Sequence, residues 1–195
     1  MVINLLYLHG FNSSPQSEKA QQTQQYFFKN HPKINFICPQ IMNTPKAAIA
    51  QLTDIIECYP NRCWLLMGSS LGGYFATYLA EKYKIPAVLI NPAVKPYELL
   101  NDYIGEQINP YTKECYQVSA EFIDDLKVLE QNQLNEKNNY FVMLQTADEV
   151  LDYQQAMEKY KNKLLVIQQG GDHSFINYEN MLPQITEFFQ LAQCS

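Results

Sequence analysis

Six short runs govern what this chain can fold into: Ile3–Leu8, 34–38, 63–67, Ala87–Ile90, Tyr140–Gln145 and Leu164–Gln168, each largely apolar at consecutive positions. A strand of that kind buries both faces, which a parallel sheet covered by helices on each side allows. Half-exposed antiparallel strands would alternate polar and apolar residues instead. Between the runs lie helical periodicities with recognisable starts. Ser14 before Pro15 reads as an N-cap followed by the first helical residue, with Ala20, Thr23 and Phe27 on one face. Thr44 and Pro45 repeat the pattern ahead of Ile49, Leu52, Ile56 and Tyr59, and Leu71, Tyr74, Phe75, Tyr78 and Leu79 form a third stripe. The order is β-α-β-α-β-α-β.

After Ile90 the alternation breaks over residues 91–130, where Tyr97, Tyr103, Tyr111 and Tyr116 occur and Ser119 can cap a helix stapled by Val118 and Ile123. A small helical cap is expected there. The alternation then resumes with the fifth strand, a helix opened by Asp152 with Gln155 three residues on, the sixth strand, and a C-terminal helix with Pro183 near its start. With 195 residues, 47% of them hydrophobic, the chain is long enough for one buried core, so residues 1–195 are read as a single domain with a cap insertion at 91–130.

Composition narrows the functional classes. A formal net charge of −6 argues against a nucleic-acid partner, which needs many cations along a phosphate backbone. No apolar run reaches the roughly 18 residues of a membrane helix, and the opening strand-like run carries neither a basic region nor a small-residue cleavage site. A cytoplasmic protein without a membrane partner is expected. Cys38, Cys58, Cys63, Cys115 and Cys194 are odd in number and show no CxxC spacing, which speaks for reduced thiols and against a disulfide framework or a thiolate zinc site.

In an open α/β sheet, ligands sit beyond the carboxyl ends of the strands, where helix N-termini point outward. After the third strand comes GSSLGG, residues 68–73. A nucleophile elbow is a tight strand-to-helix turn with a strained serine, and side chains two positions to either side of it would collide. Centring on Ser70 puts Gly68 and Gly72 at those positions, whereas centring on Ser69 puts Met67 and Leu71 there. Ser70 is therefore the candidate nucleophile, and the Leu71 N–H, opening the next helix, is a candidate oxyanion donor. Alone, the run fits a plain glycine-rich turn as well. A P-loop is excluded by the missing lysine, and a dinucleotide fingerprint by the glycine order.

A serine hydroxyl needs a base, and only three histidines are available. His31, before Pro32 at a helix end, is read as solvated surface, and His9, after the first strand, as a brace for its loop. His173, in GGDHSF after the last strand, is the expected base. The run QTADEVLDY supplies its orienting carboxylate: Asp148 comes first off the strand and is chosen over Glu149, with Val150 anchoring the loop inward. Asp152 has a sufficient role as a helix cap, and Asp172 adjoins His173 too closely. The order Ser70, Asp148, His173 is that of α/β-hydrolases. Phe11, in the loop after the first strand, would supply the second oxyanion N–H.

These residues resemble the YqiA-like esterase family of the α/β-hydrolase superfamily over essentially the whole chain. The resemblance rests on YLHGFNSSPQSEKA, GSSLGGYFATYLAEKY, NPAVKPYELL, TADEVLDY and GGDHSF, with Ala147 standing where a glycine is common. It implies a three-layer fold with a minimal six-stranded parallel sheet in the order 2-1-3-4-5-6. It further implies a cytoplasmic serine esterase of small acyl esters, extending to acyl-CoA thioesters, with no metal or organic cofactor. For a coenzyme A substrate, Lys95 or Lys113 would meet the phosphates. Two rival readings accompany it: a ligand-binding protein on the same fold without catalysis, and a serine hydrolase that cleaves amide bonds.

Overall fold

The computed structural model describes residues 2–192. Its first half runs β1 (Ile3–Leu8), α1 (Glu18–Asn30), β2 (Ile34–Ile37), α2 (Pro45–Glu57), β3 (Cys63–Ser69), α3 (Leu71–Tyr83) and β4 (Ala87–Ile90). Next come α4 (Pro96–Leu100), a 3-10 turn at Asn101–Tyr103, β5 (Gly105–Ile108), β6 (Cys115–Val118) and α5 (Ala120–Val128). The chain closes with β7 (Tyr140–Gln145), α6 (Tyr153–Lys159), β8 (Leu164–Gln168), a 3-10 turn at Tyr178–Met181, and α7 (Leu182–Ala192).

Six strands form one parallel sheet in the order β2-β1-β3-β4-β7-β8. Counting sheet strands alone, that is the expected 2-1-3-4-5-6. The consecutive apolar residues divide by parity. Leu6, Leu8, Leu66, Leu89, Val142 and Leu144 enter a core completed by α2, α3 and α5. Leu5, Tyr7, Leu65, Met67, Val88, Ile90, Phe141 and Met143 enter another, completed by α1 and α7. This is the period-2 geometry of a strand with helices on both sides. The outermost strands depart from it: β2 and β8 are only partly buried, since each lacks a neighbour on one side, and Leu164 is 53% exposed.

Helix α3 lies behind the centre of the sheet, and nine of its residues are buried, including both glycines. Buried phenols find partners: Tyr74 Oη donates to the Leu126 carbonyl at 2.7 Å, and Tyr160 and Tyr178 share hydrogen bonds with Thr77 and Thr23, each at 2.7 Å. Burial raises the pKa of all three phenols, so they stay protonated.

Several local expectations hold and others shift. Thr44 caps α2 by accepting from the Ala47 N–H, and Ser119 caps α5 through the Phe122 N–H, with Val118 and Ile123 both buried. Helix α1 starts one turn later than expected. Ser14 Oγ accepts from the Gln16 N–H in a tight turn, and Ser17 holds the N-cap position. Its buried face is nonetheless Ala20, Thr23 and Phe27. Segment 91–130 is not purely helical, because β5 and β6 pair as an antiparallel hairpin between α4 and α5. His31 is half-buried rather than solvated, its ring 5.6 Å from that of Phe27 and 5.8 Å from that of Tyr26.

Cys38, Cys58, Cys63 and Cys115 are free, and Cys194 lies outside the described residues. No described helix is long and apolar enough to cross a membrane. Leu66 is fully buried in the central strand, so Leu66→Ala should lower unfolding free energy by about 3 kcal/mol, measured from urea denaturation.

Candidate active site

The order of the sheet reverses between β1 and β3: the chain steps outward from β1 to β2, then returns to β3 on the other side. Loops leaving the carboxyl ends of β1 and β3 therefore face each other across a crevice. At the end of β3, Ser70 holds φ 56° and ψ −122°, a backbone conformation costing about 1–3 kcal/mol for a non-glycine residue. Four hydrogen bonds hold it there. The Ser70 N–H donates to the Ile90 carbonyl at 3.1 Å, and the Ser70 carbonyl accepts from the N–H groups of Gly73, Tyr74 and Ala93 at 2.9, 3.3 and 3.1 Å.

The glycines make the turn possible by their close approach. A Cβ on Gly68 would lie 2.3 Å from the Gly72 carbonyl oxygen, and one on Gly72 would lie 2.0 Å from the Leu8 carbonyl oxygen. Both obstacles are backbone, so neither can swing away. Gly10, on the facing loop, would place a Cβ 3.2 Å from Ser70 Cβ. The chain thus brings residues 10 and 11 against the serine. Leu71 is the first residue of α3 and its N–H has no helical acceptor; among the described residues neither this N–H nor that of Phe11 makes a hydrogen bond.

The three residues expected to act together meet in space. Ser70 Oγ is 3.0 Å from His173 Nε2, and His173 Nδ1 is 2.9 and 2.8 Å from the two carboxylate oxygens of Asp148. Asp148 is nearly inaccessible, at 2% side-chain exposure, and its Oδ1 also accepts the N–H groups of Val150 and Leu151 at 2.9 and 2.8 Å. With Nδ1–H donating to the carboxylate, Nε2 is left to accept from the serine hydroxyl. Val150 does not anchor this loop inward, being 41% exposed; Leu151 packs against the core instead, and the carboxylate itself gathers the amides. Asp152 caps α6 through the Gln154 N–H at 2.9 Å. Ala147 does not adopt a left-handed backbone, so its side chain is accommodated without strain.

Other residues positioning the imidazole carry little signal in the sequence. Asn91, following β4, donates through Nδ2 to the carbonyls of Asp172 and His173 at 3.0 and 3.3 Å, while its Oδ1 accepts the Gln145 N–H at 3.0 Å. Gln145 Oε1 accepts the N–H groups of Asp172 and Ile176 at 3.0 and 2.8 Å. Glu149, the carboxylate passed over, accepts the His173 N–H at 3.0 Å. The available clue was a polar residue ending each of two buried apolar strands. Gly170 and Gly171 turn this loop with φ 79° and 78°.

His9 does brace its loop: its Nδ1–H donates to the Gly10 carbonyl at 3.0 Å, and its Nε2 accepts the Ile41 N–H at 3.1 Å. Burial lowers its pKa, against the raising effect of the Gly10 carbonyl, which suits the neutral ring this pairing requires. The cap hairpin is tied to the same loop. Tyr116 Oη donates to Asn12 Oδ1 at 2.7 Å, Asn109 Nδ2 donates to the Ser13 carbonyl at 3.0 Å, and Phe11 meets Tyr103 and Tyr116 edge to face. Tyr97 turns away to Glu130.

A cleft of about 250 Å³, partly open to solvent, contains Ser70, His173, Phe11 and Tyr111 on its walls. Behind the Phe11 loop, a small cavity of about 30 Å³ lies against Leu71, Phe75 and Phe122. Lys95 faces Glu98 and Lys113 donates to the Pro110 carbonyl, and neither lines the cleft. Among the described residues, no cluster of three His, Cys, Asp or Glu side chains could hold a metal ion.

The fold is that of the α/β-hydrolases. Est1E from Butyrivibrio proteoclasticus superposes with a TM-score of 0.78 over 99% of this chain and 88% of its own, at 13% identity. An esterase from Pyrococcus furiosus does so with a TM-score of 0.68 over 97% of this chain and 81% of its own, at 15% identity. Likeness at such identities speaks for the fold alone. Within it, the chain belongs to the family described as "Uncharacterised protein family (UPF0227)", whose model matches residues 4–190. The UPF0227 protein YcfP of Salmonella gallinarum is 24% identical over 193 residues, covering 96% of this chain and 99% of its own.

Because the Gly72 clash is with backbone, Gly72→Ala should lower unfolding free energy by about 3 kcal/mol or more, read from thermal and urea unfolding.

Proposed function

We propose that this chain is a serine hydrolase of carboxylic esters, a YqiA-like esterase, with Ser70 as nucleophile, His173 as general base and acid, and Asp148 as the group that orients the imidazole. The observation that carries this reading is the unbroken row of hydrogen bonds from Asp148 through His173 to Ser70 Oγ, opening on a solvent-accessible cleft. A protein that only bound a ligand would have no use for an orienting carboxylate behind a base.

In the proposed reaction Ser70 Oγ attacks the ester carbonyl carbon as its proton passes to His173 Nε2. Charge developing on the carbonyl oxygen is held by the N–H groups of Leu71 and Phe11, each such donor contributing about 3 kcal/mol to transition-state stability. The positive end of α3 adds to this. As the tetrahedral intermediate collapses, His173 returns the proton to the departing alkoxide, or to the thiolate of an acyl-CoA, leaving Ser70 acylated. Water, deprotonated by His173, then attacks the acyl carbon, and the acid is released as Oγ regains its proton. No metal or organic cofactor enters these steps.

Small acyl esters are the preferred substrate class, and a partly open cleft walled by Phe11 and Tyr111 supports this reading. Est1E is also known with ferulic acid, a small aromatic acid, bound. Residues 91–130, with their hairpin and helices, act as a cap within a single domain. The four free cysteines among the described residues support a reducing, cytoplasmic location.

Hydrolysis of p-nitrophenyl esters of graded chain length, with acyl-CoAs and amides in parallel, tests the assignment. Ser70→Ala should lower kcat by about 10⁴-fold or more and abolish fluorophosphonate labelling, while Ser69→Ala keeps both; Asp148→Asn should lower kcat by about 10³- to 10⁴-fold. Labelling at Ser69, or turnover confined to amides, would overturn it.

A further inference from the structure

The cleft that opens on Ser70 and His173 also receives Lys19, near the start of α1. Its ammonium makes one hydrogen bond, from Nζ to the Ser174 carbonyl at 2.8 Å, leaving two of its three N–H donors free. The acidic groups in its field are Asp172, Glu18 and Asp148, and among the described residues none forms an ion pair with it. Asp148 is already engaged by the His173 ring and two amides, and Glu18 accepts from Gln22 Nε2 at 3.3 Å. Asp172 keeps a buried oxygen without any partner.

Partial burial costs an unpaired cation its hydration and pushes the Lys19 pKa down, the three carboxylates opposing the shift. Such a group gains most from an anion that arrives with two free oxygens. Ser13 and Ser17 line the same wall, and Ser17 makes no capping bond to α1. In a chain of net charge −6, this places a cation and two hydroxyl-bearing residues beside the serine nucleophile.

Resting on the esterase reading, we propose that Lys19 is a specificity-determining residue that selects esters bearing a free carboxylate, so that half-esters of dicarboxylic acids are favoured over neutral esters of the same length. The carboxylate would take the two free Lys19 donors while the ester carbonyl faces Ser70.

The test compares monoethyl succinate with ethyl pentanoate, by ethanol release, in the wild-type protein, Lys19→Met and Lys19→Arg, with succinate binding followed by calorimetry. The wild-type kcat/KM ratio should favour monoethyl succinate by about tenfold or more, the size of one charge-assisted hydrogen bond. Lys19→Met should bring that ratio to about one through KM and weaken succinate binding about tenfold, while Lys19→Arg restores part of both. A wild-type ratio near one without succinate binding would overturn the proposal and leave the esterase reading standing. So would an equal loss on both esters in Lys19→Met, which marks a brace for the Ser174 loop. Lys19-dependent succinate binding without cleavage of any ester would overturn the esterase reading and the ester selectivity with it, leaving Lys19 as a carboxylate-binding group.

Discussion

The site depends on one close approach of backbone to backbone. Where β3 gives way to α3, the Gly68 and Gly72 positions leave no room for a Cβ, and the Leu8 carbonyl at the end of β1 presses on the same turn. That contact forces Ser70 out of ordinary backbone geometry and aims its hydroxyl outward. It also draws the loop after β1 against the serine, with Gly10 set directly beside Ser70. Strain is retained because all the backbone groups of Ser70 are used, one to Ile90 and three from the following turn and Ala93. The elbow is thus held by the central strands themselves, the most deeply buried part of the molecule.

The imidazole is held by other means. Its loop carries two glycines in left-handed conformations and would wander without support, so buried side chains supply it. Asn91 and Gln145, each at the end of a central strand, take up backbone groups of residues 172, 173 and 176, and the Asn91 side chain also accepts the Gln145 N–H. A buried amide side chain is costly unless satisfied, and here the satisfaction sets the position of the His173 loop. The other wall of the cleft is tied to residues 91–130 through Tyr116–Asn12 and Asn109–Ser13, so that segment steadies the Phe11 loop.

Much of this was legible from residues alone, and the failures share a cause. All six sheet strands and the Ser70, Asp148 and His173 assignments follow from local rules, because burial on two faces and steric room for a turn act within a few residues. The hairpin at β5 and β6 was missed because its strands are short and half-exposed, and of Tyr103, Tyr111 and Tyr116 only the last lies within a strand. The Asn109 side chain, accepting from the amides of residues 111 and 112, makes the turn that separates them. Ser14 was mistaken for a helix cap since its hydroxyl does accept a backbone N–H two residues on, in a turn that precedes α1. Val150 and His31 were misjudged for want of knowing what surrounds them.

By itself the sequence determined the parallel sheet, its two cores, the elbow and the identity of the three side chains that meet in one hydrogen-bonded row. These rest on periodicity and on sterics between near neighbours, which any fold must obey. Only the tertiary structure decided that Asn91, Gln145 and Glu149 position the imidazole, that the cap grips Asn12 and Ser13, and that Lys19 faces the cleft with donors to spare. Each of those depends on partners from 24 to 104 residues away at the polar contacts concerned, or on the shape of a cavity. Hydrogen bonds of that reach are selected by where the strands end in space, which local pattern does not encode.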